Sequence, residues 1–229
     1  MRNSSICRLF LLLALAATFV ACSRDPNVRK QKYFESGQRY FDKGKYREAS
    51  IQFGNAVQVD PRFAQGHYRL AQSFLKLQQW TRAYQELSRT VELEPENYQA
   101  RIDLANLLIA GHDIKQAQEH TDFLLSKQPN DPQVHEAIAN LLSARQDFPD
   151  AIKEIQKSIS LGPDRWEAYL NLALLQMRTN QMDAAESNLK KSVQLNPQAM
   201  NAQLALGGYY QARNRLPEAE QQYRHAITV

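Results

Sequence analysis

Glycine is scarce, with 8 residues in 229, and no stretch alternates polar and apolar residues for long between turn signals, so a sheet architecture is excluded. Cysteine occurs only at Cys7 and Cys22, which excludes a disulfide framework. The apolar run Leu9 to Val20 is twelve residues long with Thr18 its one polar member, too short to span a bilayer comfortably as a helix. The sequence has no phosphate-cradling glycine loop, no Gly-x-Ser-x-Gly elbow and no His-Glu-x-x-His pair. It therefore offers no catalytic residue, no metal site, no cofactor site and no small-molecule substrate site, and no enzyme is expected in these residues. Twenty-eight Lys and Arg against 24 Asp and Glu leave a net charge of only +4, an excess too small and too spread for a nucleic-acid binder.

What is present is a ruler. Pro61, Pro95, Pro129, Pro163 and Pro197 stand 34 residues apart each time, with no insertion between them. Ala49, Ala83, Ala117, Ala151, Ala185 and Ala219 keep the same step, as do the small residues Gly37, Ala71, Ala105, Ala139, Ala173 and Gly207. Small residues in fixed phase mark places where two helices approach closely. One period, 98–131, reads as follows. Asn97 can cap a helix whose apolar side is Ile102, Leu104, Ala105, Leu108 and Ile109. A polar break at Gly111-His112-Asp113 follows. Ile114, Ala117, Thr121, Leu124 and Leu125 then resume the helical spacing until Pro129, which cannot extend a helix. In the next period Asp131 before Pro132 and Asp147 before Phe148-Pro149 supply a capping side chain and a proline where a missing N–H costs nothing. The fold class is all-α, a solenoid of helix–turn–helix repeats over 30–229, expected as one elongated domain.

That period and those phases resemble the tetratricopeptide repeat. The resemblance divides the chain into six units, 30–63, 64–97, 98–131, 132–165, 166–199 and 200–229. Their stability would be a sum of repeats and interfaces. The sixth unit lacks the closing proline and any polar capping helix. An array truncated at Val229, or an edge that pairs with another chain, is therefore expected, with Ala219, Tyr223, Ala226 and Ile227 forming an exposed apolar patch.

Residues 1–21 read as a signal peptide: Arg2 and Arg8 without an acid, then the apolar run. Thr18-Phe19-Val20-Ala21-Cys22-Ser23 resembles the bacterial lipoprotein signal, in which a small residue precedes a cysteine that is acylated before cleavage; an ordinary secretory signal with a chance cysteine is the alternative. The lipoprotein resemblance implies that Cys22 is lipidated, that residues 22–29 are a short tether, and that the mature chain has no free thiol. Two or three acyl chains suffice for stable anchoring. Ser23, where an aspartate would resemble an inner-membrane retention signal, makes the outer membrane the expected destination within the bacterial cell envelope. The tether is basic, with Arg24, Arg29, Lys30 and Lys32 against Asp25, and favours anionic head groups by charge unless it is simply solvated.

In proteins the chain resembles, the concave face is built by positions two, five, six, nine, twelve and thirteen of the first helix of each unit. Position two is Gln31, Gln65, Gln99 and Gln133, then Glu167 and Asn201. Position nine is Gln38, Gln72, Asn106 and Asn140, then Leu174 and Gly208. Position five adds Phe34, Tyr68, Ile102, Glu136, Leu170 and Leu204. The candidate partner-binding groove is therefore Gln65, Tyr68, Gln72, Gln99, Ile102, Asn106, Gln133, Glu136 and Asn140. Amides both donate and accept, so the row suits a protein partner's extended segment or helix edge; the alternative is that they are ordinary exposed helix residues. The lysine-containing carboxylate clamp of chaperone-binding relatives is absent. His67 and His135 share position four, where packing is the expected role, and Tyr46, Trp80, Phe148 and Leu216 share a phase expected in the core.

These features imply a lipid-anchored scaffold on the periplasmic side that binds other proteins in an envelope or export assembly. Cys22-Ser23-Arg24-Asp25-Pro26, with Lys43 to Ser50 in the first repeat, resembles the long repeat lipoproteins of exosortase (PEP-CTERM) and exopolysaccharide systems. The size and repeat number also resemble the type IV pilus pilotins. A recruiting arm for an enzymatic domain beyond residue 229 is the alternative.

Overall fold

The computed structural model describes residues 25–228. The signal peptide, Cys22 and Val229 lie outside the described residues. Twelve α-helices follow one another there: α1 Pro26–Asp42, α2 Tyr46–Val59, α3 Ala64–Lys76, α4 Trp80–Leu93, α5 Tyr98–Ala110, α6 Ile114–Lys127, α7 Pro132–Ala144, α8 Phe148–Leu161, α9 Trp166–Arg178, α10 Met182–Leu195, α11 Met200–Ala212 and α12 Leu216–Thr228. No strand occurs among the described residues. Odd- and even-numbered helices pair into six hairpins of the all-α helix–turn–helix class. The hairpins group into two compact units, one ending at Arg101 and the other beginning at Ile102 within α5.

Helix starts follow the capping chemistry where the sequence supplies an Asn or Asp before them. The Asn97 Oδ1 accepts from the Ala100 N–H at 3.1 Å. Asp131 accepts from the Gln133 N–H at 2.8 Å, and Asp147 from the Asp150 N–H at 3.4 Å. Each satisfies a donor that the first helical turn leaves unpaired.

The first helix of every hairpin ends the same way. Gly44, Gln78, His112, Gln146, Asn180 and Asn214, again 34 residues apart, all take a left-handed backbone, with φ between 57° and 70°. The next residue's N–H then bonds a carbonyl five residues back, as in Lys45 to Tyr40 at 3.0 Å and Asp113 to Leu108 at 2.9 Å. This closes the helix while reversing the chain. Glycine adopts such a φ without strain, but only the first hairpin has one there.

Both phases of small residues are buried. Ala49, Ala83, Ala117, Ala151 and Ala185 have no exposure and Ala219 has 3%, while Gly37, Ala71, Ala105, Ala139, Ala173 and Gly207 oppose them in the first helices. The pairing is size-matched. A Cβ on Gly37 would lie 2.6 Å from the Phe53 ring, and a Cβ on Gly207 would lie 2.6 Å from the Tyr223 ring. In the four hairpins with alanine in the glycine's place, the residue corresponding to Phe53 and Tyr223 is Leu87, Thr121, Ile155 or Leu189. Glycine therefore stands only where an aromatic ring needs the space of a methyl group.

Two apolar expectations are corrected. Trp80 and Leu216 are 54% and 57% exposed, whereas Ile114 and Met182, also first residues of second helices, are half-buried. Tyr46 is half-buried with the Phe41 ring edge-on at 5.1 Å, and Phe148 is half-buried against the cluster of Ala139, Ala151, Ile155, Leu172 and Leu175, with Arg178 over its ring at 5.6 Å. The expected patch on α12 is also mostly absent. Ala219 and Ala226 are buried and Tyr223 lies across Gly207, since these residues face their own hairpin partner α11, leaving Ile227 at 85% exposure.

The size-matching yields a double-mutant prediction. Gly37→Ala should lower stability by about 1–3 kcal/mol through overpacking, and adding Phe53→Leu should recover part of that loss, so the two changes couple in urea unfolding. Purely additive losses would show that the ring and the glycine do not share the space.

Candidate partner-binding groove

Four hairpins are fastened to the loop before them by the side chain at position four. His135, 1% exposed, places Nδ1 at 2.6 Å from Glu154 Oε2 and Nε2 at 2.9 Å from the Pro129 carbonyl oxygen. His67 repeats the arrangement with Glu86 at 2.5 Å and the Pro61 carbonyl at 3.2 Å. Each ring thus bridges a carboxylate on the second helix and a carbonyl of the preceding loop. Arg101 and Gln203 donate to the equivalent carbonyls of Pro95, at 2.8 Å, and Pro197, at 3.1 Å. Position four thus pins the closing proline loop, a polar role beyond the packing expected from sequence. No group of three or more metal-ligating side chains gathers among the described residues.

Several of the expected groove residues are already bonded within their own compact unit. In the first compact unit Arg69 donates through Nε to Gln38 Oε1 at 2.8 Å and through Nη1 to Gln72 Oε1 at 2.5 Å, with a further contact from Nη2 to Gln38. Gln72 is therefore held in place by the guanidinium. Gln65 and Gln99 are exposed and Tyr68 is half-buried. In the second unit Ile102 and Glu136 turn inward, with 5% and 9% exposure. The Glu136 carboxylate takes Arg165 Nε at 2.6 Å and Nη2 at 3.2 Å, and the Ser158 hydroxyl at 3.1 Å. That hydrogen bond holds the Arg165 guanidinium above its usual range. Glu136 is thus spent on internal structure, and Gln133 beside it is half-buried.

Asn106 and Asn140 come together: Asn140 Nδ2 donates to Asn106 Oδ1 at 3.0 Å. The bond uses one donor and one acceptor of the pair, whose inventory is larger. The pair lies where two hollows meet. One, of about 390 Å³, is lined by Asn106, Ile109, Ala110, Asn140, Ser143, Ala144 and Arg178. The other, of about 410 Å³, runs on through Asn140, Ser143, Asn171, Leu174, Met177 and Arg178. Asn140, Ser143 and Arg178 belong to both, so α5, α7 and α9 present one continuous groove. Nearly all of its lining comes from positions six, nine, twelve and thirteen. Arg178, Ser143 and Asn171 were not singled out in the sequence, although each stands at one of those positions.

Family models described as tetratricopeptide repeats match residues 37–78, 78–141, 136–189 and 170–228. The chain belongs to the tetratricopeptide-repeat family. Among solved structures, a tetratricopeptide repeat protein from Parabacteroides merdae is similar at 17% identity and TM-score 0.80, covering 99% of this chain and 89% of that one. The APC/C hetero-tetramer Cut9–Hcn1 is similar at 18% identity and TM-score 0.75, covering 90% of this chain but only 41% of that one. PilW, a type IV pilus biogenesis factor, is similar at 15% identity and TM-score 0.69, covering 84% and 90%. At these identities the likeness establishes the tetratricopeptide fold. No curated protein matches the sequence. The repeats make the chain a protein-interaction scaffold in coarse terms, and no helix among the described residues is long and apolar enough to cross a membrane.

The position-four bonds predict that His135→Leu, which strands the Pro129 carbonyl and Glu154, costs about 1–3 kcal/mol. His225→Ala, exposed on α12, should stay within about 0.5 kcal/mol. Urea unfolding of both checks this, and equal midpoints would mean the histidine bonds do not hold the loop.

Proposed function

We propose that the chain is a lipid-anchored scaffold of the bacterial envelope that holds an extended segment of a partner protein in the groove of α5, α7 and α9. The observation that carries the docking is the groove's composition. Its polar contribution is Asn106, Asn140, Ser143 and Asn171, its apolar floor includes Leu174 and Met177, and its one charged side chain is Arg178. Amides and a hydroxyl can pair with a peptide's N–H and C=O groups without demanding a sequence, while the apolar floor accepts alternate side chains.

The anchor and the compartment rest on the sequence around Ala21-Cys22, and the assembly served rests on resemblance alone. PilW is a type IV pilus biogenesis factor by its own description, which favours an envelope-assembly role of the pilotin kind for this chain as well. The exosortase and exopolysaccharide role rests on Cys22 to Pro26 and Lys43 to Ser50.

Asn106→Ala, Asn140→Ala and Arg178→Ala combined should weaken capture of the partner from envelope extract by roughly 10-fold or more, since hydrogen bonds contribute about 0.5–1.5 kcal/mol each and those to charged groups somewhat more. Circular dichroism should remain that of the wild type. Undiminished capture by the folded triple variant would move the binding surface off this groove.

A further inference from the structure

The helix face that other hairpins bury is rewritten with cations in α1. At the phase of Lys32 the later repeats have Gly66, Ala100, Val134, Ala168 and Ala202, all buried. At the phase of Arg39 they have Ser73, Leu107, Leu141, Leu175 and Tyr209, of which only Leu107 is not fully buried. Lys32 and Arg39 are themselves exposed, as are Arg29 and Lys43. Intervals of three, seven and four residues put all four on one stripe of the helix, about 21 Å long at 1.5 Å per residue.

No carboxylate pairs with this stripe among the described residues. The acids of α1 are occupied on the adjoining face: Gln31 donates to Glu35 at 3.0 Å and Gln38 to Asp42 at 2.6 Å. Asp25 accepts from the Asn27 N–H at 2.8 Å as the helix cap, and Lys30, off the stripe, is paired with Asp60 at 2.7 Å. A face recoded merely to prevent stacking could carry either sign of charge. This one carries a single sign.

We propose that the Arg29, Lys32, Arg39 and Lys43 stripe rests on an anionic phospholipid surface and orients the protein on its membrane. The placement rests on the lipid-anchor reading. Only Ser23, Arg24 and Asp25 separate Cys22 from the first residue of α1, so an acylated Cys22 keeps the helix start within about 15 Å of the head groups. A row of long, unpaired cations on a convex helix suits a planar charged surface, and each adds attraction there. Exposed Val28 stands at the same end of the helix.

The test is co-sedimentation of the full chain with vesicles of phosphatidylglycerol and of phosphatidylcholine. The chain should prefer phosphatidylglycerol, and high salt should remove the preference. Lys32→Glu with Arg39→Glu should cut it at least about 25-fold, at roughly fivefold per cation lost. Lys115→Glu with Lys157→Glu, exposed on α6 and α8, changes the net charge equally and should keep it. No preference, or equal losses in both double variants, would overturn the stripe, and tighter retention by duplex DNA than by phosphatidylglycerol would overturn the lipid assignment. Labelled palmitate, with Cys22→Ala as control, scores the anchor separately. Label without preference removes the stripe and leaves the anchor; preference without label keeps the stripe and removes the anchor.

Discussion

The close approach of two antiparallel helices at one pair of small residues sets the rest of this protein. Where Ala151 meets the region of Ala139, the backbones can come together only because neither side chain extends beyond a methyl group. Leu172 and Leu175 of the next hairpin, with Ile155, then complete the cluster around that contact. The same contact recurs every 34 residues, so each hairpin offers its neighbour the same shape within its compact unit. Gly37 with Phe53 and Gly207 with Tyr223 show how finely the contact is tuned: a ring on one helix is matched by the loss of a single methyl group on the other. Close packing of this kind leaves no slack for a bulkier pair.

Fixing the hairpins also fixes which side chains can reach a partner. In the second compact unit, positions six, nine, twelve and thirteen of the first helices converge on Asn140, Ser143 and Arg178. The opposite requirement governs position four, where His67 and His135 are turned inward to hold a loop. Polar residues on these helices thus divide into those that hold the fold and those left for binding, and repeat phase alone does not separate them. Glu136 stands at a groove position yet serves Arg165 and Ser158.

The helices, their caps and the small-residue contacts were legible because they are local or strictly periodic: Asn97, Asp131 and Asp147 cap as their spacing implies. The size match of Gly37 to Phe53 was also available, since glycine replaces alanine only where the opposing residue is aromatic, but it needs two phases read together. The exposure of Trp80 and Leu216 was not legible. Hydrophobicity and phase suggested the core, yet at that phase Phe148 and Met182 pack against buried clusters while Trp80 and Leu216 are left exposed. Of the groove, the positions were legible and their occupancy was not, because Arg69 reaching Gln38 across 31 residues, or Arg165 reaching Glu136 across 29, depends on three-dimensional proximity.

The contact itself is open to direct measurement through thermal unfolding of Ala151→Leu beside Lys153→Gln. Ala151 is fully buried against α7, whereas Lys153 is exposed two residues along the same helix. The close-contact account predicts a loss on the order of 1–3 kcal/mol for the leucine variant, seen as a clearly lower midpoint, and an unchanged midpoint for Lys153→Gln. Equal midpoints for the two variants would contradict it.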